Sequence, residues 1–137
     1  MDTKALKEYE GVLQSYGRCW VQKKFFDEFY TLFMNSSPEV KPLFKNTDFE
    51  KQNTLLRVGL MYFITYAAGD ESVRKKIEEL GVLHGRSRLN IRSELYPLWV
   101  DSLIKAVSKY DIHFNHELEQ SWRKVLQKGV DIMVSKY

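Results

Sequence analysis

The sequence predicts an all-α protein of one domain, because of its periodicity, its composition and its few turn-forming residues. Apolar residues recur at three- and four-residue spacing along almost the whole chain, which is typical of the buried face of an amphipathic helix. The 137 residues include only 7 glycines and 3 prolines, too few for a turn-rich β protein. Hydrophobic residues make up 44% of the chain. We therefore expect one core and a single domain over residues 1–137.

The composition excludes several classes of protein. Lys and Arg total 21 and Asp and Glu total 18, a balance too even for the dense basic patch of a nucleic-acid-binding protein. The single cysteine, Cys19, cannot form an intramolecular disulfide or a cysteine-built zinc site, and we predict that it is a small buried hydrophobe. No apolar run is long enough to span a membrane, and no signal-like stretch follows Met1. We expect a soluble cytoplasmic protein that contacts neither nucleic acid nor membrane.

Capping signals divide the periodic pattern into six long or medium helices and one short one. Ser37 before a proline starts the short helix, Thr47 and Glu50 form a capping box, Gly85 ends a helix, and Asn115 caps the last. The seven predicted helices cover approximately residues 5–16, 20–34, 37–44, 48–68, 73–84, 93–109 and 115–134.

One histidine lies where a core residue is expected. Val73, Ile77, Leu80 and His84 follow one another at spacings of four, three and four, so the imidazole shares their apolar face. Two interpretations stay open from the residues alone: a buried histidine satisfied by a backbone carbonyl, or a ligand of a metal or cofactor. With one cysteine and no second inward histidine, a metal cage made only of protein is not expected. Haem needs a single protein imidazole and fits this requirement.

Other polar side chains also lie on apolar faces. Gln52 shares a helical stripe with Leu56, and it is either a residue at the rim that faces water or a donor aimed into a pocket. Tyr30 lies within an aromatic run, as a core tyrosine with a wet tip or as a second pocket donor. His113 and His116 lie three apart near a helix start, and we predict that both are solvated surface residues.

The order and spacing of these features resemble those of bacterial single-domain globins over essentially the whole chain. The matching segments, in chain order, are residues 29–33, 37–40, 43–44, 48–56, 80–84, 95–99 and 122–123. The resemblance implies a globin fold of about seven helices around a haem pocket, with a short loop in place of the D helix. It also implies haem b, iron protoporphyrin IX, as the cofactor. Similar domains occur in flavohaemoglobins and in bacterial globin-containing sensor proteins.

The resemblance assigns roles to individual positions. His84 matches the proximal ligand of the haem iron, and Leu80 packs under the proximal face. Gln52 matches the distal residue over the sixth coordination site, and Leu56, one turn later, is its apolar neighbour. Phe44 matches the phenylalanine that wedges the haem.

A distal tyrosine and the residues at the pocket mouth complete the implied site. Tyr30 matches the distal tyrosine of flavohaemoglobin-like globins, with Phe29 as the rival for that place, and Tyr96 is a further haem contact. For the haem propionates we predict the pair Arg88 and Arg92, which follow the proximal helix. The rivals of this pair are Arg86 and Lys45.

The function that the resemblance favours is reversible binding of dioxygen, or of another diatomic gas such as CO or NO, at a five-coordinate iron. The alternatives are a gas or redox sensor that signals to a partner or a fused output domain, and a redox enzyme similar to a nitric oxide dioxygenase. The connector after His84 is two residues longer than in flavohaemoglobins, and no reductase domain follows. Asp131 is out of register with the glutamate on their last helix. These departures favour non-enzymatic oxygen binding by a monomer or homodimer, with a redox or signalling partner left open.

Overall fold

The computed structural model describes residues 2–137 and confirms the all-α prediction. It contains six α-helices and three short 3-10 helices, and no strand occurs among residues 2–137. The α-helices are α1 (Thr3–Trp20), α2 (Lys24–Met34), α3 (Phe49–Ala67), α4 (Arg74–His84), α5 (Tyr96–Tyr110) and α6 (His116–Ser135). The 3-10 helices are Lys41–Phe44, Glu71–Val73 and Ser93–Leu95. None of these helices is both long enough and apolar enough to cross a membrane.

The short helix expected over residues 37–44 is a turn followed by the 3-10 helix Lys41–Phe44, so its predicted length is wrong. Pro42 explains the difference, because it has no N–H to donate to the carbonyl of Pro38 in an α-helix. The Ser37 hydroxyl caps the turn between itself and this 3-10 helix, accepting a hydrogen bond from the Glu39 N–H at 3.2 Å.

The sequence predicts the N-caps of α3 and α6; the first prediction is wrong and the second is confirmed. Asp48, not Thr47, is the N-cap of α3, and its carboxylate accepts hydrogen bonds from the N–H groups of Glu50 and Lys51. A carboxylate suits this place because it also neutralises the positive end of the helix dipole. Asn115 caps α6 as predicted, accepting from the Leu118 N–H at 2.8 Å.

The helices pack as a layered bundle in which α5 lies against α2, and α6 lies against α1, α3 and α4. Phe29 is fully buried in this core and stacks on Phe33 beside the ring of Trp99. Gly129 lets α6 approach α3 closely, because a Cβ atom there would lie 2.6 Å from the ring of Phe63. The α3–α6 contact therefore has no room for a larger residue.

A buried polar network joins α1 to the residue that follows α5 and to α6. Ser15 Oγ donates to Asp111 Oδ2 at 2.6 Å and accepts from Trp122 Nε1 at 2.9 Å. Arg18 Nη2 and the His113 N–H also donate to the Asp111 carboxylate. Burial alone would raise the pKa of Asp111, but the hydrogen bonds from Arg18, Ser15 and the His113 N–H outweigh it and lower that pKa.

Cys19 lies inside the same region of α1 and is fully buried. Burial, reinforced by the nearby charge of Asp111, raises the pKa of its thiol to about 12. The side chain is therefore an inert, protonated hydrophobe, as the sequence predicts.

Candidate functional site

His84 is the last residue of α4 and is half-buried. Its Nδ1 atom lies 2.7 Å from the carbonyl oxygen of Leu80. A carbonyl can only accept, so Nδ1 is the donor in this contact, and Nε2 is the nitrogen left for another partner. No hydrogen bond engages Nε2 in the part of the chain from residue 2 to residue 137. This is the tautomer and the orientation that metal-bound histidines adopt.

The segment that follows His84 is folded back and held by the end of the chain. The Ile91 N–H donates to the His84 carbonyl at 2.8 Å, and the Arg86 N–H donates to the Tyr137 carbonyl at 3.1 Å. The Tyr137 hydroxyl donates to Asn90 Oδ1, and the Arg86 guanidinium lies 5.0 Å from the centre of the Tyr137 ring. We call Arg86, Asn90 and Tyr137 the proximal clasp.

Two glycines bring α4 against the end of α6. A Cβ atom at Gly81 would lie 3.0 Å from the Cα atom of Met133, and one at Gly85 would lie 2.9 Å from the Lys136 carbonyl oxygen. Backbone contacts of this kind fix the end of α4 more rigidly than long side chains do. The position of His84 is thus set by α6 as well as by its own helix.

A second polar group of the site lies where α2 meets α3. Tyr30 is 4% exposed, and its hydroxyl donates to the backbone carbonyl of Gln52 at 3.4 Å. Its ring packs edge-on against Phe44 and Phe49, at centroid distances of 5.6 Å and 5.5 Å. Burial raises the pKa of Tyr30, so its hydroxyl is a protonated donor at every physiological pH. Phe29, the rival for this place, packs into the core instead.

The predicted site residues of α3 share one side of that helix. Gln52 is half-buried, Leu56 and Phe63 are buried, and α3 also contacts α4. Leu80, one turn before His84, is half-buried on α4. The structure therefore gathers the predicted distal residues on α2 and α3 and the predicted proximal residues on α4.

The predicted propionate partners are not equivalent. Arg92 forms ion pairs with Glu39 and Glu94, the latter at 3.8 Å, and Arg86 belongs to the proximal clasp. Arg88 and Lys45 are exposed, and neither forms an ion pair within residues 2–137.

The remaining candidate residues are Tyr96 and the two other histidines. Tyr96 is half-buried at the start of α5, where it lines a groove with Asp101 and Arg123, and burial raises its pKa to about 12. His113 and His116 are exposed as predicted. Among the described residues, no group of three or more His, Cys, Asp or Glu side chains could hold a metal ion.

Nothing in the sequence pattern points to Tyr137 or Asn90 as part of the site. Neither lies on a periodic apolar face, and their contact joins positions 47 residues apart. The one local signal is at Asn90, whose φ of 52° is in the left-handed region that asparagine tolerates.

The six α-helices, with the half-buried imidazole of His84 at the end of α4, agree with the globin fold that the sequence predicts. No family model matches the chain, and no curated protein matches it. The crystal structure of a protein from Pseudomonas aeruginosa PAO1, described as structurally highly homologous to a human hemoglobin, matches with a TM-score of 0.90. It is 41% identical, and the match covers 95% of this chain and 98% of that chain. The chain belongs to the globin family.

Proposed function

We propose that this globin binds haem b and reversibly takes up a diatomic gas, dioxygen foremost, with His84 as the single protein ligand of the iron. The observation that carries the proposal is the 2.7 Å contact between His84 Nδ1 and the Leu80 carbonyl, which leaves Nε2 free at the end of α4. The likeness to a hemoglobin-like structure supports the same cofactor. CO and NO are expected as further ligands.

Exposed apolar side chains near the site also support a large flat apolar cofactor. Four leucines, each next to a predicted haem contact or within one turn of it, are largely exposed although they belong to a well-packed protein. They are Leu43, Leu55, Leu83 and Leu89, at 42%, 63%, 48% and 62% exposure. A porphyrin held through one imidazole would cover such apolar side chains and would need only the single nitrogen donor.

Haem, when bound, would supply an iron to which a gas molecule can bind. Tyr30 and Gln52 supply hydrogen-bond donors on the distal side, and Leu56 and Phe63 exclude water from it. The Tyr30 hydroxyl is held by a long 3.4 Å bond to a backbone carbonyl, so it is free to turn toward a better acceptor. Each donor adds roughly 1–3 kcal/mol in a dry pocket when the gas molecule carries partial negative charge.

The remaining predicted contacts hold the cofactor in place. Phe44 packs against Tyr30 and Phe49 and would be an aromatic contact of the haem. Arg88 is more available to the propionates than Arg92, because Arg92 is already paired with Glu39.

Absorbance spectra of the purified, haem-loaded protein test the proposal. A Soret band that shifts on reduction and again on addition of CO is expected. The same spectra of His84→Ala are expected to lose the five-coordinate ferrous form, whereas His113→Ala, a matched change at an exposed histidine, should leave them unaltered. A wild-type protein that takes up no haem, or His84→Ala with unaltered spectra, contradicts the proposal.

The proximal clasp favours gas sensing as a second candidate function. Movement of His84 would reach residues 136–137 directly through the contacts of Arg86 and Asn90 with Tyr137. Hydrogen exchange of the haem-loaded protein with and without CO tests this candidate. Sensing predicts a change in protection at residues 85–91 and 136–137 together, and pure gas storage predicts none.

A further inference from the structure

A cation on the distal helix is clamped between two aromatic rings. The guanidinium carbon of Arg57 lies 4.5 Å from the centre of the Trp20 ring and 4.3 Å from that of Phe26. Trp20 ends α1 and Phe26 lies in α2, so the two rings come from two different helices. The planar guanidinium can stack on both faces at once, which a lysine ammonium cannot do.

Hydrogen bonds fix the same residue along the helix axis. The Tyr16 hydroxyl, which is buried, donates to the Arg57 carbonyl at 2.8 Å, and Arg57 Nη1 donates to the Trp20 carbonyl at 3.2 Å. Arg57 is thus held by its backbone and by its side chain. These contacts all lie on the side of α3 that faces α1 and α2.

One turn earlier, a second contact joins α3 to α2. Asn53 Nδ2 donates to Asp27 Oδ1 at 3.0 Å, while Asn53 Oδ1 is buried and has no hydrogen-bond partner within residues 2–137. A buried acceptor without a donor is costly, so the amide is kept here by the bond to Asp27. Asn53 and Arg57 are four residues apart and share one face of α3.

Each of the two predicted distal residues comes directly before one of the residues that hold α3 against α1 and α2. The distal residues form one stripe along α3, and the holding residues form another. Gln52 precedes Asn53 and Leu56 precedes Arg57, so the two stripes are offset by about 100° around the helix. Any rotation or sliding of α3 that breaks the Arg57 contacts moves Gln52 and Leu56 by the same rigid-body motion. The contact from Tyr30 to Gln52 is already 3.4 Å long, so a small shift is enough to abolish it.

From this geometry we infer that Arg57 is a positioning residue of the distal site: its clamp by Trp20, Phe26 and Tyr16 fixes where α3 presents Gln52 opposite Tyr30. The inference rests on the proposed function, since it concerns the donors to a gas molecule. Arg57 itself lies about 100° around the helix from Leu56 and donates nothing to the ligand.

Gas dissociation rates of the haem-loaded full chain test the inference. Arg57→Met keeps much of the volume and loses the charge, and Arg57→Lys keeps the charge and loses the planar stack. Both are expected to speed dioxygen dissociation roughly fivefold to tenfold, the effect of losing about one hydrogen bond, and to alter CO dissociation less. The infrared C–O stretch of the CO complex should shift as well, because it reports the field of the distal donors.

A matched control and a double-mutant cycle separate positioning from stability. Arg74→Met breaks another arginine–aromatic contact of α3, with Tyr66 at its far end, and is expected to change neither rate. In a Gln52→Leu background, Arg57→Met should add almost nothing to the dioxygen rate if it acts through Gln52. Tyr16→Phe, which removes only the hydroxyl, is expected to shift the C–O stretch in the same direction by a smaller amount.

Three results overturn the inference: equal effects on the two gases, an undiminished effect in the Gln52→Leu background, or a C–O stretch unaltered in both Arg57→Lys and Tyr16→Phe. If Arg57→Met does not retain haem, Arg57→Lys and Tyr16→Phe decide the outcome alone. Failure of the wild-type chain to take up haem is a separate result, visible before any variant is made, and it contradicts the proposed function instead.

Discussion

His84 and Leu80 are hydrogen-bonded to each other within α4: the imidazole Nδ1 of His84 donates to the Leu80 carbonyl, one turn earlier, at 2.7 Å. The pair reconciles the two interpretations that the sequence leaves open for His84. The ring is satisfied by a backbone carbonyl, and for that same reason its second nitrogen is oriented and free to bind a metal.

Loss of the imidazole is expected to abolish stable haem attachment. In His84→Ala no other side chain replaces Nε2, so the ferrous and CO spectra should lose the signature of an imidazole-bound iron. Free imidazole should restore it in part, because it can enter the space that the side chain leaves. Titration of the variant with imidazole, followed by absorbance, measures the rescue. Absence of both the loss and the rescue would exclude His84 as the ligand.

The distal donors are expected to discriminate between gases. Gln52→Leu and Tyr30→Phe each remove a donor to a ligand that carries partial negative charge, and CO carries less of it than dioxygen. Dioxygen dissociation should therefore speed by about tenfold for each 1.4 kcal/mol lost, and CO dissociation should change less. Stopped-flow ligand displacement measures both rates. Equal changes for the two gases would mean that these side chains control access rather than stabilise charge.

Charge reversal at Arg88 and Arg92 together is expected to speed haem loss, measured as transfer to a haem-scavenging protein. The single changes should differ: Arg88→Glu acts on the cofactor alone, while Arg92→Glu also breaks the ion pair with Glu39. Glu39→Gln serves as the control, because it breaks that pair and leaves both arginines. If haem leaves the double variant at an unchanged rate, Arg86 or Lys45 would be the residue that binds the propionates.

The buried carboxylate of Asp111 is expected to make stability depend on acid pH. Its pKa is lowered in the folded state, so its contribution is complete above the unfolded value of about 3.9 and is lost as the pH falls through the folded value. Asp111→Asn should lower the free energy of unfolding by about 2 kcal/mol at pH 7 and by less at pH 3, which lies below the unfolded pKa. Urea unfolding at the two pH values measures this. Asp101→Asn, at an exposed ion pair with Arg123, is the control and should cost under about 1 kcal/mol at both.

Gly129→Ala is expected to destabilise the fold by about 1–3 kcal/mol, because its methyl group would overlap the ring of Phe63. Gly17→Ala is the matched control, since no atom lies within 4 Å of a Cβ at that helical position. That change should stabilise the protein by roughly 0.5–1 kcal/mol through helix propensity. Thermal unfolding followed by circular dichroism distinguishes the two, and equal effects would argue against a tight α3–α6 contact.

The helices were predictable because each carries its own evidence in the spacing of apolar residues. The same periodicity predicts that His84 lies on the apolar face of its helix. Asn115 indicates the start of α6 because asparagine is a favoured N-cap residue. A choice between two neighbouring capping residues is harder to predict. Thr47 and Asp48 are adjacent and either can cap α3, and the Asp48 carboxylate is the one that does. Pro42 sets the length of the 3-10 helix Lys41–Phe44 through a missing N–H.

The rest of the site depends on contacts between residues distant in sequence. Arg92 follows the proximal helix and suits a propionate on local grounds, yet its carboxylate partner is Glu39, 53 positions away. The clamp on Arg57 needs rings from two other helices, and a lone arginine beside Leu56 carries no pattern that indicates them. Spacing predicts which side of a helix is buried, but it does not predict which helix covers that side.

The network of Ser15, Asp111 and Trp122 can form only late in the synthesis of the chain. Ser15 is separated from Asp111 by 96 positions and from Trp122 by 107. At roughly 5–20 residues per second, translation of that stretch takes on the order of 5–20 s, and throughout it α1 has no polar partner for Ser15. The polar network around Ser15 therefore closes only after α5 and the first part of α6 have been made, although α1 can already contact α3 through Tyr16 and Arg57.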